Sequence, residues 1–142
     1  MLSYSVLIVD DEEDFRNMTA KRLSRRDLEC ACAPNGDIAL NMINEKSYDV
    51  VLLDVKMPGR DGIETLRQIK RISPMTEVVM ISGHASVESG INGIKYGAFD
   101  YLMKPTDLES LLEKLNAAYE RKRTQQERIE RAWSNKGAAR LS

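Results

Sequence analysis

The 142-residue chain is poor in the residue types that usually announce a specialised centre. It has one histidine, His84, and two cysteines, Cys30 and Cys32. No four-ligand zinc site can be assembled from that set. The C-x-C pair is not a disulfide candidate, because in an extended strand both thiols project on one face, too far apart to bond. The two read as core cysteines in a reducing cytoplasm. Aromatic residues are only 6%, and the formal net charge is -1. Near-neutrality argues against a direct nucleic-acid binder. No stretch approaches the roughly 18 consecutive apolar residues of a membrane span. The N-terminal MLSYSVLIVDDEED turns sharply acidic after a brief apolar run, which is the reverse of an export signal. Disorder is excluded as well: 42% hydrophobic and 30% charged residues suffice for the core of one domain.

What is present is an alternation. Short apolar runs at Ser5–Val9, Leu28–Ala33, Val50–Leu53, Glu77–Ile81 and Phe99–Met103 are separated by stretches of helical periodicity. The helices are expected over Asp14–Ser24, Asp37–Glu45, a face carrying Ile63, Leu66, Ile69 and Ile72, Val87–Tyr96, and from Leu108 onward. Asp61 with Glu64, and Thr106 with Glu109, have the spacing of helix-start caps. Gly90 and Gly93 fall inside the fourth helix and are expected to weaken it. Continuous apolar strands covered by helices on both faces imply a parallel sheet with right-handed crossovers, hence a doubly wound α/β domain. In such sheets chemistry gathers at the carboxyl ends of the strands.

Those ends carry an unusual set. The first strand runs into Asp10 and Asp11, the third into Asp54, the fourth into Ser82, and the fifth into Lys104-Pro105. Three carboxylates in one crevice repel one another. A divalent cation relieves the conflict, and an all-oxygen donor set favours Mg2+ over zinc. Carboxylates, a metal, one hydroxyl and one lysine suit phosphoryl transfer, with Asp54 as nucleophile and Lys104 and Ser82 on the phosphoryl oxygens.

The segments VLIVDDEED, DVVLLDVKMPGRDG, VVMISGHA and GAFDYLMKP, in that order and spacing, resemble the receiver domain of bacterial two-component response regulators. GAFDYL is similar to receivers of nitrogen-regulator-type transcription activators. The resemblance covers about residues 4–120. It implies a flavodoxin-like, CheY-like fold with strand order 2-1-3-4-5 and five helices, the last extended. It also implies Asp54 as phosphoacceptor, Mg2+ held by Asp10, Asp11, Asp54 and the main-chain carbonyl of Lys56, and Lys104 paired to Asp54 or its phosphoryl group. A cis peptide before Pro105 is implied too. Ser82 and Tyr101 occupy the family's switch positions. Lys56 and His84 flank the path of the attacking or leaving group and are expected to tune dephosphorylation. The implied partner is a sensor histidine kinase or phosphotransfer protein.

Residues 1–120 are therefore expected to form the receiver, and residues 121–142 a basic helical extension. Seven basic against three acidic residues give residues 120–142 a charge of +4, leaving -5 on the remainder. Leu112, Leu115, Tyr119, Lys122, Gln126, Ile129 and Trp133 make a heptad-like seam with a polar middle. A solvated helix, a dimerising helix and a basic arm remain open readings of it. A homodimer through the face of helix four, strand five and helix five is the other expected self-contact. Three other functions stay in view. A haloacid-dehalogenase-type hydrolase wants Asp where Lys56 stands. A flavin carrier wants a phosphate-binding loop where Asp10–Glu13 stand. The last is a receiver-like adaptor that is never phosphorylated.

Overall fold

The computed structural model describes residues 3–55, 62–83 and 92–141. Five parallel strands, β1 (Ser5–Val9), β2 (Glu29–Ala33), β3 (Val50–Asp54), β4 (Glu77–Ser82) and β5 (Asp100–Met103), form one sheet of order β2-β1-β3-β4-β5. The helices are α1 (Glu13–Ser24), α2 (Gly36–Glu45), α3 (Gly62–Ile72), a helical segment over 92–95 (α4), and α5 (Leu108–Leu141). This is the doubly wound architecture expected.

The period-2 alternation of the central strands decides which helices cover which face. Leu7 and Val9, Val51 and Leu53, and Val78 and Met80 pack with Ala39 and Ile43 of α2 and Leu66 and Ile69 of α3. Val6 and Ile8, Val50 and Leu52, and Val79 and Ile81 pack on the other face with Leu23 of α1 and Leu111, Leu112, Leu115 and Ala118 of α5. Because both faces are covered, β1, β3 and β4 are buried throughout, and the edge strands β2 and β5 are only partly so. Cys30 and Cys32 are unbonded to each other and packed against the α1/α5 core. Burial pushes both thiols above the usual cysteine value.

Local signals explain the boundaries. Leu28 was expected to open β2, but its N–H closes the end of α1 on Leu23, with Asp27 left-handed at φ 67. Asn35 caps α2 through its side chain and the Ile38 N–H, at 2.9 Å. The cap of α5 is Asp107 rather than Thr106. Its Oδ1 accepts the Ser110 N–H at 2.7 Å, while Glu109 pairs with Arg26 at 2.7 Å. The frame slips by one residue because Asp is as good a cap as Thr and meets the third N–H of a helix starting at Leu108. Asp61, expected to cap α3, and Gly90 lie outside the described residues. Gly97, at φ +108, ends α4, and Ala98 donates back to the Gly93 carbonyl at 2.9 Å. Gly93 also has a packing reason: a Cβ there would lie 1.7 Å from Met80 Cε.

The last helix is fastened along much of the domain. Tyr4 stacks on Tyr119 with centroids 4.5 Å apart and donates to Asn116 at 2.6 Å. Lys122 pairs with Asp49 before β3, and Arg121 lies 3.6 Å from buried Glu77 at the start of β4. Past these, Ile129 is 47% and Trp133 69% exposed. Among the described residues no helix is long and apolar enough to cross a membrane.

Candidate functional site

The carboxyl ends of β1, β3 and β5 converge as expected. Asp10 directly follows β1, its N–H bonded to the Ala33 carbonyl of β2 at 3.1 Å. It is fully buried, and Asp54, the last residue of β3, is 4% exposed. Only a neighbouring positive charge makes two such buried carboxylates tolerable. Lys104 supplies it: Nζ donates to Asp10 Oδ2 at 2.6 Å, to Glu12 Oε1 at 3.2 Å and to Asp54 Oδ2 at 3.4 Å. Burial alone would lower the Lys104 pKa. The hydrogen bond and charge of Asp10, with the charge of Asp54, outweigh it and hold the ammonium above the usual lysine value. The Lys104 N–H is tied to the Ser82 carbonyl at 3.0 Å, and the Lys104-Pro105 peptide is cis, as the resemblance implied.

One oxygen from each of Asp10, Asp11, Glu12 and Asp54 lies within 4.8 Å of the others. Four carboxylates facing one ammonium leave the cluster negative, and the donors are all hard oxygens. The residues therefore fit a hard divalent cation of the Mg2+ class. Neither aspartate of the Asp10-Asp11 pair caps α1. Its N-cap is Glu12, which makes no side-chain cap bond, and Asp10 Oδ1 instead accepts the Glu12 N–H at 2.9 Å. The acidic pair therefore does no capping of the first helix.

Ser82 ends β4 fully buried, one residue past Ile81, the register partner of Asp54. Tyr101 is half-buried against the α2/α3 core, and its hydroxyl is buried. Lys56 and His84 lie outside the described residues. Sequence reasoning did not assign three neighbours of the cluster. Glu12 joins it, Arg16 donates from Nη1 to the Asp10 carbonyl at 2.7 Å, and the Phe15 ring lies 4.1 Å below Lys104 Nζ. Glu12 was visible as the third acid of DDEED. Phe15 and Arg16 look like ordinary residues of the first helix.

Residues 6–116 match the response regulator receiver domain family. The chain is 39% identical over 106 residues to the regulatory protein AtoC of Escherichia coli, covering 75% of this chain and 23% of that protein. It is 38% identical over 132 residues to an NtrX-like response regulator of Rickettsia typhi, covering 92% of this chain and 28% of that one. The chain thus spans about a quarter of the length of these curated relatives. A CheY-like receiver domain protein from Methanospirillum hungatei superposes with a TM-score of 0.83 at 27% identity, over 87% of this chain and 99% of that one. Fold, strand-end cluster and sequence agree: the chain belongs to the response regulator receiver domain family of two-component signalling.

Proposed function

We propose that the domain is a phosphorylation-driven switch that takes a phosphoryl group onto Asp54 from the phosphohistidine of a sensor kinase or phosphotransfer protein. The observation that carries this reading is a single ammonium, Lys104 Nζ, shared by buried Asp10 and Asp54 inside an all-carboxylate cluster. In the transfer an Asp54 carboxylate oxygen forms the new P–O bond. The P–N bond of the donor breaks, and its electron pair stays on the imidazole nitrogen. Lys104 holds an equatorial phosphoryl oxygen, and the Ser82 hydroxyl donates to another. Asp10, Asp11, Asp54 and the Lys56 carbonyl would hold Mg2+. When bound, the ion supplies neutralisation of charge on the phosphoryl oxygens. The domain assists its own phosphorylation and hydrolysis without turning over a separate substrate.

The added charge, similar to the -1.5 to -2 or so of other phosphoresidues, is read by Ser82 and Tyr101 and moves the face of α4, β5 and α5. Lys56 and His84 set the lifetime of the acyl phosphate. Residues 1–120 act as the receiver, and residues 121–142 continue it as a basic helix. Self-association uses either the α4-β5-α5 face or that helix. Unbonded Cys30 and Cys32 suit a cytoplasmic setting.

The test is acetyl phosphate plus Mg2+ followed by intact-mass analysis. One phosphoryl mass on the wild type, absent in Asp54→Ala, supports the reading. No gain, or a gain retained in Asp54→Ala, overturns it. Steady turnover of phosphoesters would instead favour a hydrolase.

A further inference from the structure

We propose that Phe15 is a positioning residue for phosphoryl transfer, its ring face holding the Lys104 ammonium at Asp54. This inference rests on the phosphoacceptor reading above. Nζ of Lys104 lies 4.1 Å from the Phe15 ring centroid, well inside the range of about 6 Å over which a cation is drawn to an aromatic face. The lysine side chain is only 14% exposed, so little water competes for it. Phe15 is itself held in place, packed against the core shared by α1 and α5.

The ring and the carboxylates act on the ammonium in different ways. Asp10, Glu12 and Asp54 all draw on it, and the nearest of them, at 2.6 Å, is Asp10 rather than Asp54. All three carboxylates also belong to the cluster fitted to a divalent cation. A carboxylate that shares its charge with a cation pulls less on Nζ. The ring carries no formal charge and offers no oxygen, so its attraction does not depend on what the carboxylates are doing. It keeps Nζ near Asp54 when the competing carboxylates are engaged. An aliphatic side chain of similar size would fill the space without that attraction.

The test uses the full chain, with Phe15→Leu, Phe15→Trp, Lys104→Met and the Phe15→Leu/Lys104→Met double variant. Phosphorylation of Asp54 by acetyl phosphate and Mg2+ is followed over time. Phe15→Leu is expected to slow transfer about fivefold and Phe15→Trp to stay within about twofold of wild type, as partly desolvated cation–π contacts allow. In the Lys104→Met background, Phe15→Leu is expected to cost nothing further. A purely packing role would give the same cost in both backgrounds, and that result overturns the proposal. So does a Phe15→Trp variant as slow as Phe15→Leu. A second measurement needs neither transfer nor a substituted protein: the ε-methylene proton resonance of Lys104 in the wild type. An upfield ring-current shift supports the contact, and an unshifted resonance overturns it. If the wild type takes up no phosphoryl group, the phosphoacceptor reading fails, and the resonance alone decides whether Phe15 positions Lys104.

Discussion

Lys104 sits closer to Asp10 than to Asp54, at 2.6 Å against 3.4 Å. Its principal partner is the fully buried carboxylate at the end of β1. In the absence of a divalent cation, Lys104 is thus the counterion that lets the strand ends stay together. Lys104→Met should lower stability in metal-free buffer by about 2–3 kcal/mol, somewhat under the usual cost of breaking a buried pair because Glu12 is exposed. Added Mg2+ should raise the melting temperature more in the variant than in the wild type. Melting curves with EDTA and with Mg2+ read both quantities. An equal Mg2+ shift in the two proteins would mean that Lys104 does not compensate the cluster.

At the opposite end of the sheet, Asp49 joins three elements. It accepts from the Ser5 N–H at 2.9 Å and from the Ser5 hydroxyl at 3.2 Å, and it pairs with Lys122. Burial would raise its pKa. The Lys122 and Ser5 hydrogen bonds outweigh burial and leave the carboxyl below the usual aspartate value. The unfolded chain then binds the proton more readily, so the contribution is complete above the ordinary aspartate value. It is lost as pH falls through the lower folded one, in the region below about pH 4. Asp49→Asn should cost about 1–2 kcal/mol at pH 7. It should lose less stability than wild type on acidification through that window. Urea denaturation at pH 7, 4 and 3 checks the crossing.

Gly62 opens α3 where the helix meets the chain leaving Asp54. A Cβ at Gly62 would fall 2.4 Å from Val55 Cα and 2.5 Å from the Val55 carbonyl oxygen. These are main-chain atoms, which cannot swing aside as a side chain could. Gly62→Ala should cost about 1–3 kcal/mol by overpacking. It should also slow phosphorylation by acetyl phosphate, because the displaced backbone carries Asp54. The same substitution at Gly93 meets the mobile tip of Met80 and should cost less. Chemical denaturation of both variants ranks them.

The proposed self-association through the extended last helix has a sharp cut point. Arg121 and Lys122 still pair with Glu77 and Asp49, so a chain ending at Gln125 keeps its fastening and loses Ile129 and Trp133. Sedimentation velocity should show the full chain heavier than its shortened form after correction for length. If both sediment as monomers, the helix is a solvated rod and not a dimer seam.

The central sheet was legible because its signal is redundant. Val6–Val9 and Val50–Leu53 are unbroken apolar runs, and only a strand covered on both faces needs them. Asp54 stood out for the same reason, as a carboxylate at the end of such a run. Glu77 was harder to interpret. A glutamate opening a strand looks solvent-exposed, yet it is 2% exposed, with Lys70 at 3.5 Å and Arg121 at 3.6 Å. Those partners come from α3 and α5, and no local pattern joins them. The contact of Phe15 with Lys104 joins α1 to the residue after β5 and is equally silent in the sequence. The cap of α5 slipped for a local reason: Thr106 and Asp107 are both good caps, and only the position of the first helical turn chooses between them.

The 34 residues of α5 make a continuous rod about 50 Å long, at the usual rise per residue. Its first turn follows Lys104-Pro105, and its far half projects beyond the fastening at Lys122. Such a rod converts angle into distance. A tilt of about 5° at that fastening would carry the tip, about 28 Å further on, through about 2.5 Å. A shift at the carboxylate cluster too small to alter the core would thus become a displacement the width of an atom at the tip. Anything attached there would feel leverage instead of contact.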